Sequence, residues 1–319
     1  MRAVRYHEHG GTDVLQVDDD VPRPEPGHGE VLVEVRAAGV NPVDTYFREG
    51  SYSPPELPMV PGSDLAGVVA AVGDGVTGFE PGDRVFGTGL GNDRQGTYAE
   101  YATASADLLA HLPEGIAFQE GAAVALVGVT AWRALVHHAD VGPAERVLVH
   151  GGGGGVGHVA VQVAAASGGF VTATARPEYH DLLRGLGADA VLDYRRDDLA
   201  DAVLEAGEPE VVLDHRLDDY LQFDADVAAQ GARVVGIGNT SPEAGFEDVA
   251  AARAKELQVT LMSMYNTPDV GAVLERIADL LERGAVVPDV HRVYALDEAA
   301  EAQRAVLEDS FLGKLVVEP

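Results

Sequence analysis

Residues 146–157 read RVLVHGGGGGVG, and they predict the fold of the second half of the chain. A short apolar run leads into five consecutive glycines, and apolar residues at helical spacing follow over 159–165. Strand, glycine turn and helix in this order are typical of a dinucleotide site, where the helix N-terminus faces the phosphates. A glycine run alone also fits a flexible loop, so the flanking strand and helix carry the prediction. The residues assigned to the site are Gly152, Gly154, Gly155, Val156 and Gly157.

The composition bounds the class of protein. A chain of 319 residues is longer than one compact core usually serves, so two domains are expected. The net charge is −30, from 52 acidic against 22 basic residues, and Lys255 and Lys314 are the only lysines. Such self-repulsion favours a protein adapted to a salt-saturated cytoplasm, with a merely acidic mesophilic protein as the alternative. A nucleic-acid partner is not expected because no basic face is evident.

The absence of cysteine limits the chemistry. No disulfide, thiolate nucleophile or thiolate metal ligand is available. The N-terminal residues MRAVRYHEHGG lack an apolar signal core, and no apolar run has the length of a membrane span. We therefore expect a soluble, cytoplasmic protein.

The pattern of elements changes along the chain. Short glycine-punctuated strands at 31–35, 67–71 and 84–86 predict a β-rich first domain. From about residue 145, apolar strands alternate with helical patterns such as 179–186 and 199–205, which predicts a doubly wound parallel sheet. The predicted strands of that sheet are 147–149, 170–174, 190–192, 211–213, 233–236 and 259–262.

The C-terminal part continues with a helix, a second helix and a strand. They are predicted at 270–283, 296–307 and 314–317, and we expect the tail to rejoin the first domain.

Several motifs in order along the chain resemble the quinone oxidoreductase (zeta-crystallin-like) branch of the medium-chain dehydrogenase/reductase superfamily. They are AAGVNPVDTYFR at 37–48, PGSDLAG at 61–67, FEPGDRVF at 79–86, GTYAEY at 96–101, GAAVALVGVTAWRAL at 121–135 and GKLVV at 313–317. The resemblance implies an α/β fold with a GroES-like β-rich catalytic domain over 1–122, completed by 290–319. It further implies a Rossmann NADP-binding domain over 123–289, with the active site in the cleft between the two.

Two departures from the zinc-dependent relatives indicate zinc-independent chemistry. The segments that resemble the zinc-binding positions of those relatives carry Asn41 and Ser63 in place of a cysteine and a histidine, and the four-cysteine zinc lobe is missing. His7 and His9 lie on what looks like one face of a strand, and residues 137–138 are neighbouring histidines in a predicted helix. Neither pair has a convincing third ligand, so surface histidines are the favoured interpretation.

The end of the second predicted strand of the cofactor domain indicates the choice of cofactor. Acidic residues that bind the adenosine ribose lie about 20 residues past the glycine motif. By the resemblance that position is Ala175, followed by Arg176, whose guanidinium suits a 2′-phosphate. NADPH is therefore favoured over NADH, although Arg176 also fits a solvated loop charge paired with Glu178. The resemblance adds Tyr194 beside the ribose phosphate and puts family lysines near His180.

Further cofactor contacts are implied by the resemblance alone. They are Asn41, Thr130, Ile237, Gly238, Asn239 and Lys314. For Lys314 a surface position is an equal alternative. Residues 214–216, Asp-His-Arg, depart from the small-residue turn expected near the cofactor.

Asn41 and Tyr46 are the candidate catalytic residues. Without zinc, a preformed electrophile such as a quinone is the logical hydride acceptor, provided that its developing charge is hydrogen-bonded or protonated. The Asn41 amide would hold the substrate oxygen or the nicotinamide ribose, and the Tyr46 phenol would donate a proton or only form a wall. Arg48 would orient the substrate or, preferably, pair with Asp44.

Two other functions stay open from the sequence. An NADPH-dependent alkenal or enone C=C reductase would use the same residues. A non-catalytic NADPH-binding sensor is the alternative from another class. A hydrolase is excluded because the chain has neither a G-x-S-x-G elbow nor a cysteine.

The last strand of the cofactor domain predicts the assembly. Residues 259–264 would continue the sheet across a two-fold axis, which predicts a homodimer. Met262, Met264 and Tyr265 fit an apolar wall, the core or that interface.

Overall fold

The chain divides into two compact units in a computed structural model that describes residues 1–52 and 56–319. One unit comprises Met1–Val129, Pro268–Gly284 and Pro288–Pro319. The other comprises Thr130–Thr267 and Ala285–Val287. Over the described ranges, no helix has the length and apolar character needed to cross a membrane.

Fifteen strands are described, and we number them in chain order. They are β1 (Ala3–Tyr6), β2 (Leu15–Asp18), β3 (Glu30–Val40), β4 (Leu65–Val72), β5 (Arg84–Gly87), β6 (Tyr101–Ser105), β7 (Leu109–His111), β8 (Arg146–Val149), β9 (Phe170–Ala175), β10 (Ala190–Asp193), β11 (Val211–Asp214), β12 (Arg233–Gly236), β13 (Gln258–Leu261), β14 (Val290–Ala295) and β15 (Lys314–Glu318).

The α-helices are numbered in the same way. They are α1 (Pro42–Glu49), α2 (Phe118–Trp132), α3 (Gly155–Ala166), α4 (His180–Gly185), α5 (Leu199–Ala206), α6 (Leu217–Val227), α7 (Val249–Ala254), α8 (Val270–Glu282) and α9 (Ala299–Glu308).

The first unit is β-rich, as predicted. β1 and β2 pair antiparallel, and a second sheet has the order β14-β15-β3-β4-β5-β7, with β6 also paired to β3. β3 is much longer than the predicted strand at 31–35 because β15 pairs with its C-terminal half, where Val316 faces Gly39. Alanine and glycine at 37–39 have little strand propensity, so this extension depends on a partner from the far end of the chain.

The second unit contains the predicted doubly wound sheet. Its six strands are all parallel in the order β10-β9-β8-β11-β12-β13. The order reverses between β8 and β11, and in such sheets ligands bind at the carboxyl ends of the strands at this reversal. Leu148, Val212 and Val234 of the central strands form one apolar cluster with residues of α5 and α6.

The glycine turn connects β8 to α3 as the sequence predicts. Gly151 has φ +66°, in the left-handed region that favours glycine. A Cβ at Gly157 would overlap the carbonyl oxygen of Gly151, and a Cβ at Gly152 would lie 3.0 Å from that of Ala173. Helix α3 can therefore approach the turn this closely only because these positions lack side chains.

Some local predictions were wrong or incomplete. His7 and His9 are not on a strand, because β1 ends at Tyr6; the His7 ring contacts Asp18 and the His9 ring contacts the Arg48 carbonyl. The helix predicted at 179–186 divides into a 3₁₀ turn, Pro177–Tyr179, followed by α4. The helix predicted at 296–307 likewise begins with a 3₁₀ turn, Leu296–Glu298, before α9.

The closeness of α3 to the turn gives a test of the fold. Replacing Gly157 by alanine is expected to lower the free energy of unfolding by about 1–3 kcal/mol, because the new Cβ must displace backbone atoms. Gly185→Ala is the matched control, since a Cβ there meets nothing within 4 Å and alanine favours a helix. Urea unfolding of both variants measures the difference, and an equally stable Gly157→Ala variant would contradict the close packing.

Candidate active site

A buried ion pair with a bridging amide lies in the first unit. The Asn41 Nδ2 donates to Asp64 Oδ2 at 2.8 Å, and the Asn41 Oδ1 accepts from Lys314 Nζ. Lys314 Nζ also donates to the Val40 carbonyl at 2.7 Å and lies 3.9 Å from Asp64 Oδ2. None of these three side chains is more than slightly exposed. Lys314 is therefore not the surface residue that was one alternative from the sequence.

The charges of this group compensate one another. Burial raises the pKa of Asp64 and lowers that of Lys314, and the attraction between the two opposes both shifts. The second carboxylate oxygen of Asp64 accepts from the Leu126 N–H at 3.0 Å. Each polar group thus has a partner, which a buried charge requires.

Asp44 extends the group to the start of α1. Its carboxylate accepts from the Asn41 N–H at 2.9 Å, from Ser63 Oγ at 2.8 Å and from the Tyr98 hydroxyl at 3.4 Å. The first contact caps α1, whose first residue is Pro42. Burial raises the pKa of Asp44 to about 7, against the Ser63 and Asn41 hydrogen bonds.

Tyr46 lies on α1 with 37% of its surface exposed. Its ring centroid is 6.4 Å from that of Tyr52, and the Tyr52 ring packs edge-on against Phe47 at 5.6 Å. Burial, with the nearby Tyr52 and Glu49, raises the pKa of the Tyr46 phenol, so the hydroxyl keeps its proton at neutral pH. The two tyrosines present an aromatic surface that the sequence analysis missed, since Tyr52 follows the motif that carried Tyr46.

Arg48 corrects the sequence interpretation. Its side chain is buried and its Nη2 donates to Glu49 Oε1 at 2.7 Å, so it does not pair with Asp44 as favoured above. Asp44 faces Asn41 and Ser63 instead. Over the described residues, the Nε and Nη1 of Arg48 have no hydrogen-bond acceptor.

In the second unit, the N-terminus of α3 is open. Gly154 is the N-cap residue and is exposed, no side chain caps the helix, and its first turn has no acidic residue. The free N–H groups and the helix dipole there favour an anion. A Cβ at Gly153 would lie 2.9 Å from the Tyr179 ring, which therefore packs against the turn. The site fits the diphosphate of a dinucleotide.

The other predicted cofactor residues of this unit lie mostly at the same edge of the sheet. Arg176 follows β9, Tyr194 follows β10, and Ile237, Gly238 and Asn239 follow β12. A Cβ at Gly238 would lie 2.6 Å from the His215 carbonyl oxygen, so glycine permits a close approach of the two loops. Thr130, in contrast, is buried on α2, and the Asn239 amide donates to the Ser241 carbonyl.

The surroundings of Arg176 decide whether a 2′-phosphate fits. The residue before it, Ala175, is buried and carries no charge, so no carboxylate ends β9. The Arg176 side chain is 40% exposed, and its guanidinium is 3.9 Å from Glu178. This distance leaves a loose contact that a phosphate can replace, which fits a phosphorylated ribose. The His180 ring contacts the Ala175 carbonyl at 3.3 Å.

In the parts of the chain that the structure describes, no cluster of three or more histidine, cysteine, aspartate or glutamate side chains is placed to hold a metal ion. Met262 and Met264 are buried and Tyr265 is 37% exposed, so the methionines pack in the protein interior.

Comparison with known proteins gives the family. Residues 27–114 match the alcohol dehydrogenase GroES-like domain, and residues 186–317 match the zinc-binding dehydrogenase family. The chain is 37% identical to the quinone oxidoreductase of Homo sapiens, over 99% of this chain and 97% of that protein.

Solved structures agree over the full length. A structure described as an NAD-dependent alcohol dehydrogenase has a TM-score of 0.93 and 34% identity, covering 100% of both chains. The Escherichia coli quinone oxidoreductase complexed with NADPH has a TM-score of 0.89 and 30% identity, also covering 100% of both. The chain belongs to the quinone oxidoreductase branch of the medium-chain dehydrogenase/reductase superfamily.

Proposed function

We propose that this protein is an NADPH-dependent quinone oxidoreductase that works without zinc. The observation that carries the proposal is the open glycine turn beside Arg176, with no carboxylate at the end of β9, in a chain 37% identical to a quinone oxidoreductase. The two positions that would be zinc ligands by resemblance, Asn41 and Ser63, instead donate hydrogen bonds to Asp64 and Asp44.

The second unit would hold the cofactor. The N–H groups at the start of α3 would bind the diphosphate, and Arg176 with Tyr194 would bind the 2′-phosphate. When bound, NADPH supplies the hydride. Thr130, Gly238 and the other loop residues after β12 would support the nicotinamide end.

The first unit would hold the substrate. A quinone that accepts a hydride also needs a proton to become a hydroquinone, so the site must stabilise the developing charge on oxygen. The Tyr46 hydroxyl carries a proton that it can donate to this oxygen, and the Tyr46–Tyr52 pair offers an aromatic surface to a planar ring. One N–H of the Asn41 side-chain amide donates to Asp64, and the second N–H would donate to the substrate oxygen or to the nicotinamide ribose.

The activity assay follows the oxidation of NADPH with a small quinone and, separately, with a simple enone. We propose that the net charge of −30 is an adaptation to a salt-rich cytoplasm, so the assay is run in about molar KCl. Faster turnover of the quinone supports the proposal, and faster turnover of the enone would make the protein a C=C reductase. Tight NADPH binding without turnover of either would favour a sensor.

Cofactor choice is tested by Arg176→Ala. Losing one charged hydrogen-bonding partner of the 2′-phosphate is expected to raise KM for NADPH by roughly 10- to 100-fold and to leave KM for NADH unchanged. Arg184→Ala is the control, because Arg184 is an exposed arginine on α4 that pairs with Asp181. Equal effects on the two cofactors would refute the role of Arg176.

The role of Tyr46 is tested by Tyr46→Phe. If the phenol donates the proton, kcat falls by about 100-fold or more, while the dissociation constant of NADPH stays the same. Tyr52→Phe is the matched control, since it keeps the aromatic pair and leaves the Tyr46 hydroxyl in place. An unchanged kcat in Tyr46→Phe would show that Tyr46 only lines the site and donates no proton.

We also propose that the protein is a homodimer joined through β13. This strand is at the edge of the parallel sheet, and its Val259 and Leu261 are 39% and 74% exposed. An apolar sheet edge of this kind favours pairing with a second copy, which would continue the sheet.

The dimer is tested by Leu261→Glu. A buried charge at the interface is expected to convert the dimer into a monomer of 33.4 kDa in sedimentation equilibrium at high salt. Val249→Glu, at a 64% exposed position on α7, is the control and should leave the dimer intact. A wild-type protein that sediments only as a monomer would exclude the proposal.

A further inference from the structure

Three ionisable side chains are buried together at the reversal of strand order in the second unit. His150 directly follows β8, Asp214 ends β11, and Asp224 lies on α6. None of the three is more than 1% exposed. The cluster therefore lies just inside the protein from the glycine turn, which begins at Gly151.

The contacts within the cluster indicate that one of its two carboxyl groups carries a proton. His150 Nε2 is 2.8 Å from Asp224 Oδ1, and Asp214 Oδ1 accepts from the Arg216 N–H at 2.7 Å. The Oδ2 atoms of both aspartates are buried, and among the residues described no N–H or O–H group donates a hydrogen bond to them. The negative charge of Asp224 acts on Asp214 within this buried cluster and favours the protonated form of Asp214. The His150 imidazole can compensate at most one of these two buried carboxylates, so the other one is expected to carry a proton.

The surroundings of Asp214 favour its protonated form overall. Burial and the charge of Asp224 raise the pKa of Asp214 to about 7, whereas the Arg216 N–H and His150 lower it. Burial lowers the pKa of His215 to about 4, so that neighbouring ring is neutral at pH 7 and offers no compensating charge. Burial also raises the pKa of Tyr220 on α6. The charge of Arg216, which pairs with Asp219, lowers the pKa of both Tyr220 and His215.

The cluster is firmly attached to the glycine turn. The His150 ring stacks on Tyr220 with centroids 4.3 Å apart, and the backbone N–H of His150 donates to the Leu213 carbonyl at 3.1 Å. The next residue, Gly151, donates its N–H to Thr174 Oγ1 at 3.1 Å, and a Cβ on it would lie 2.7 Å from the His215 ring. A change in the charge of the cluster therefore acts directly behind the backbone that would face the diphosphate.

We propose that His150, Asp224 and Asp214 are positioning residues that hold one shared proton behind the glycine turn, and that this proton sets the affinity for the dinucleotide diphosphate. The inference rests on the proposed binding of NADPH. When the shared proton leaves, a second negative charge appears in a region of low dielectric, beside the place where the anionic diphosphate binds. Binding is therefore strongest while the proton is held, and at higher pH it must take up a proton from solution.

Two measurements on the folded protein test the proposal. Infrared spectra of the free protein should show the carbonyl band of a protonated carboxylic acid that disappears as the pH rises through about 7. Asp214→Asn should remove this band, while any acid band of Asp44 in the first unit should remain. If Asp214→Asn fails to fold, Asp224→Asn provides the same comparison.

Calorimetry then measures NADPH binding in two buffers with different ionisation enthalpies, which counts the protons taken up. Above about pH 7 the wild-type dissociation constant should rise by up to about tenfold per pH unit, with proton uptake, and Asp214→Asn should lose both effects. The 2′-phosphate contributes equally in both proteins, so their difference is the readout. Asp226→Asn, which removes an exposed charge from the same helix, should behave as wild type.

The outcomes separate the two proposals. Absence of the titrating acid band in the wild type, or identical proton uptake in wild type and Asp214→Asn, would overturn the shared proton or its coupling to binding. A wild-type protein that shows the band but binds no NADPH would overturn the proposed cofactor site and the coupling together, while the buried proton would stand.

Discussion

The contact of the Lys314 ammonium with Asn41 and Asp64 is the constraint on which the first unit depends. It joins the C-terminal strand β15 to the junction of β3 and α1 and to the residue before β4. Removing one member of a buried charge pair leaves the other uncompensated, at a cost of about 3–5 kcal/mol. The same contact fixes Asn41, and through Asp44 it fixes the start of the helix that carries Tyr46. The position of the candidate substrate residues thus follows from a pairing between residues 273 positions apart.

Features with a local sequence signal could be predicted, and features that depend on distant partners could not. The glycine turn, the six parallel strands and Arg176 after β9 follow from patterns within short windows. Asp64 and Asp224 carry no such signal, because their roles come from Lys314 and His150, far away in sequence. The wrong pairing of Arg48 with Asp44 shows the same limit. The two residues are neighbours at helical spacing, but Asp44 accepts a hydrogen bond from the distant Ser63 and Arg48 pairs with Glu49.

The acidic composition makes the charge around the proposed cofactor residues important. In a chain with 52 acidic residues, a dinucleotide must approach against a repulsive background. The end of α3 has no acidic residue in its first turn, β9 ends on an alanine, and Arg176 is partly exposed next to it. In the proposed site, positive potential would come from the backbone N–H groups at the start of α3 and from the Arg176 guanidinium.

The two units bury carboxylates by different means, and the difference has a chemical consequence. In the first unit an ammonium and an amide compensate Asp64. In the second unit an imidazole and a buried proton compensate Asp214 and Asp224, and because the pKa of Asp214 is raised to about 7 this proton can leave near neutral pH. A fixed cation suits residues that must hold a substrate oxygen in one place. A titratable cluster behind an anion-binding turn instead makes the charge behind the proposed diphosphate site depend on pH.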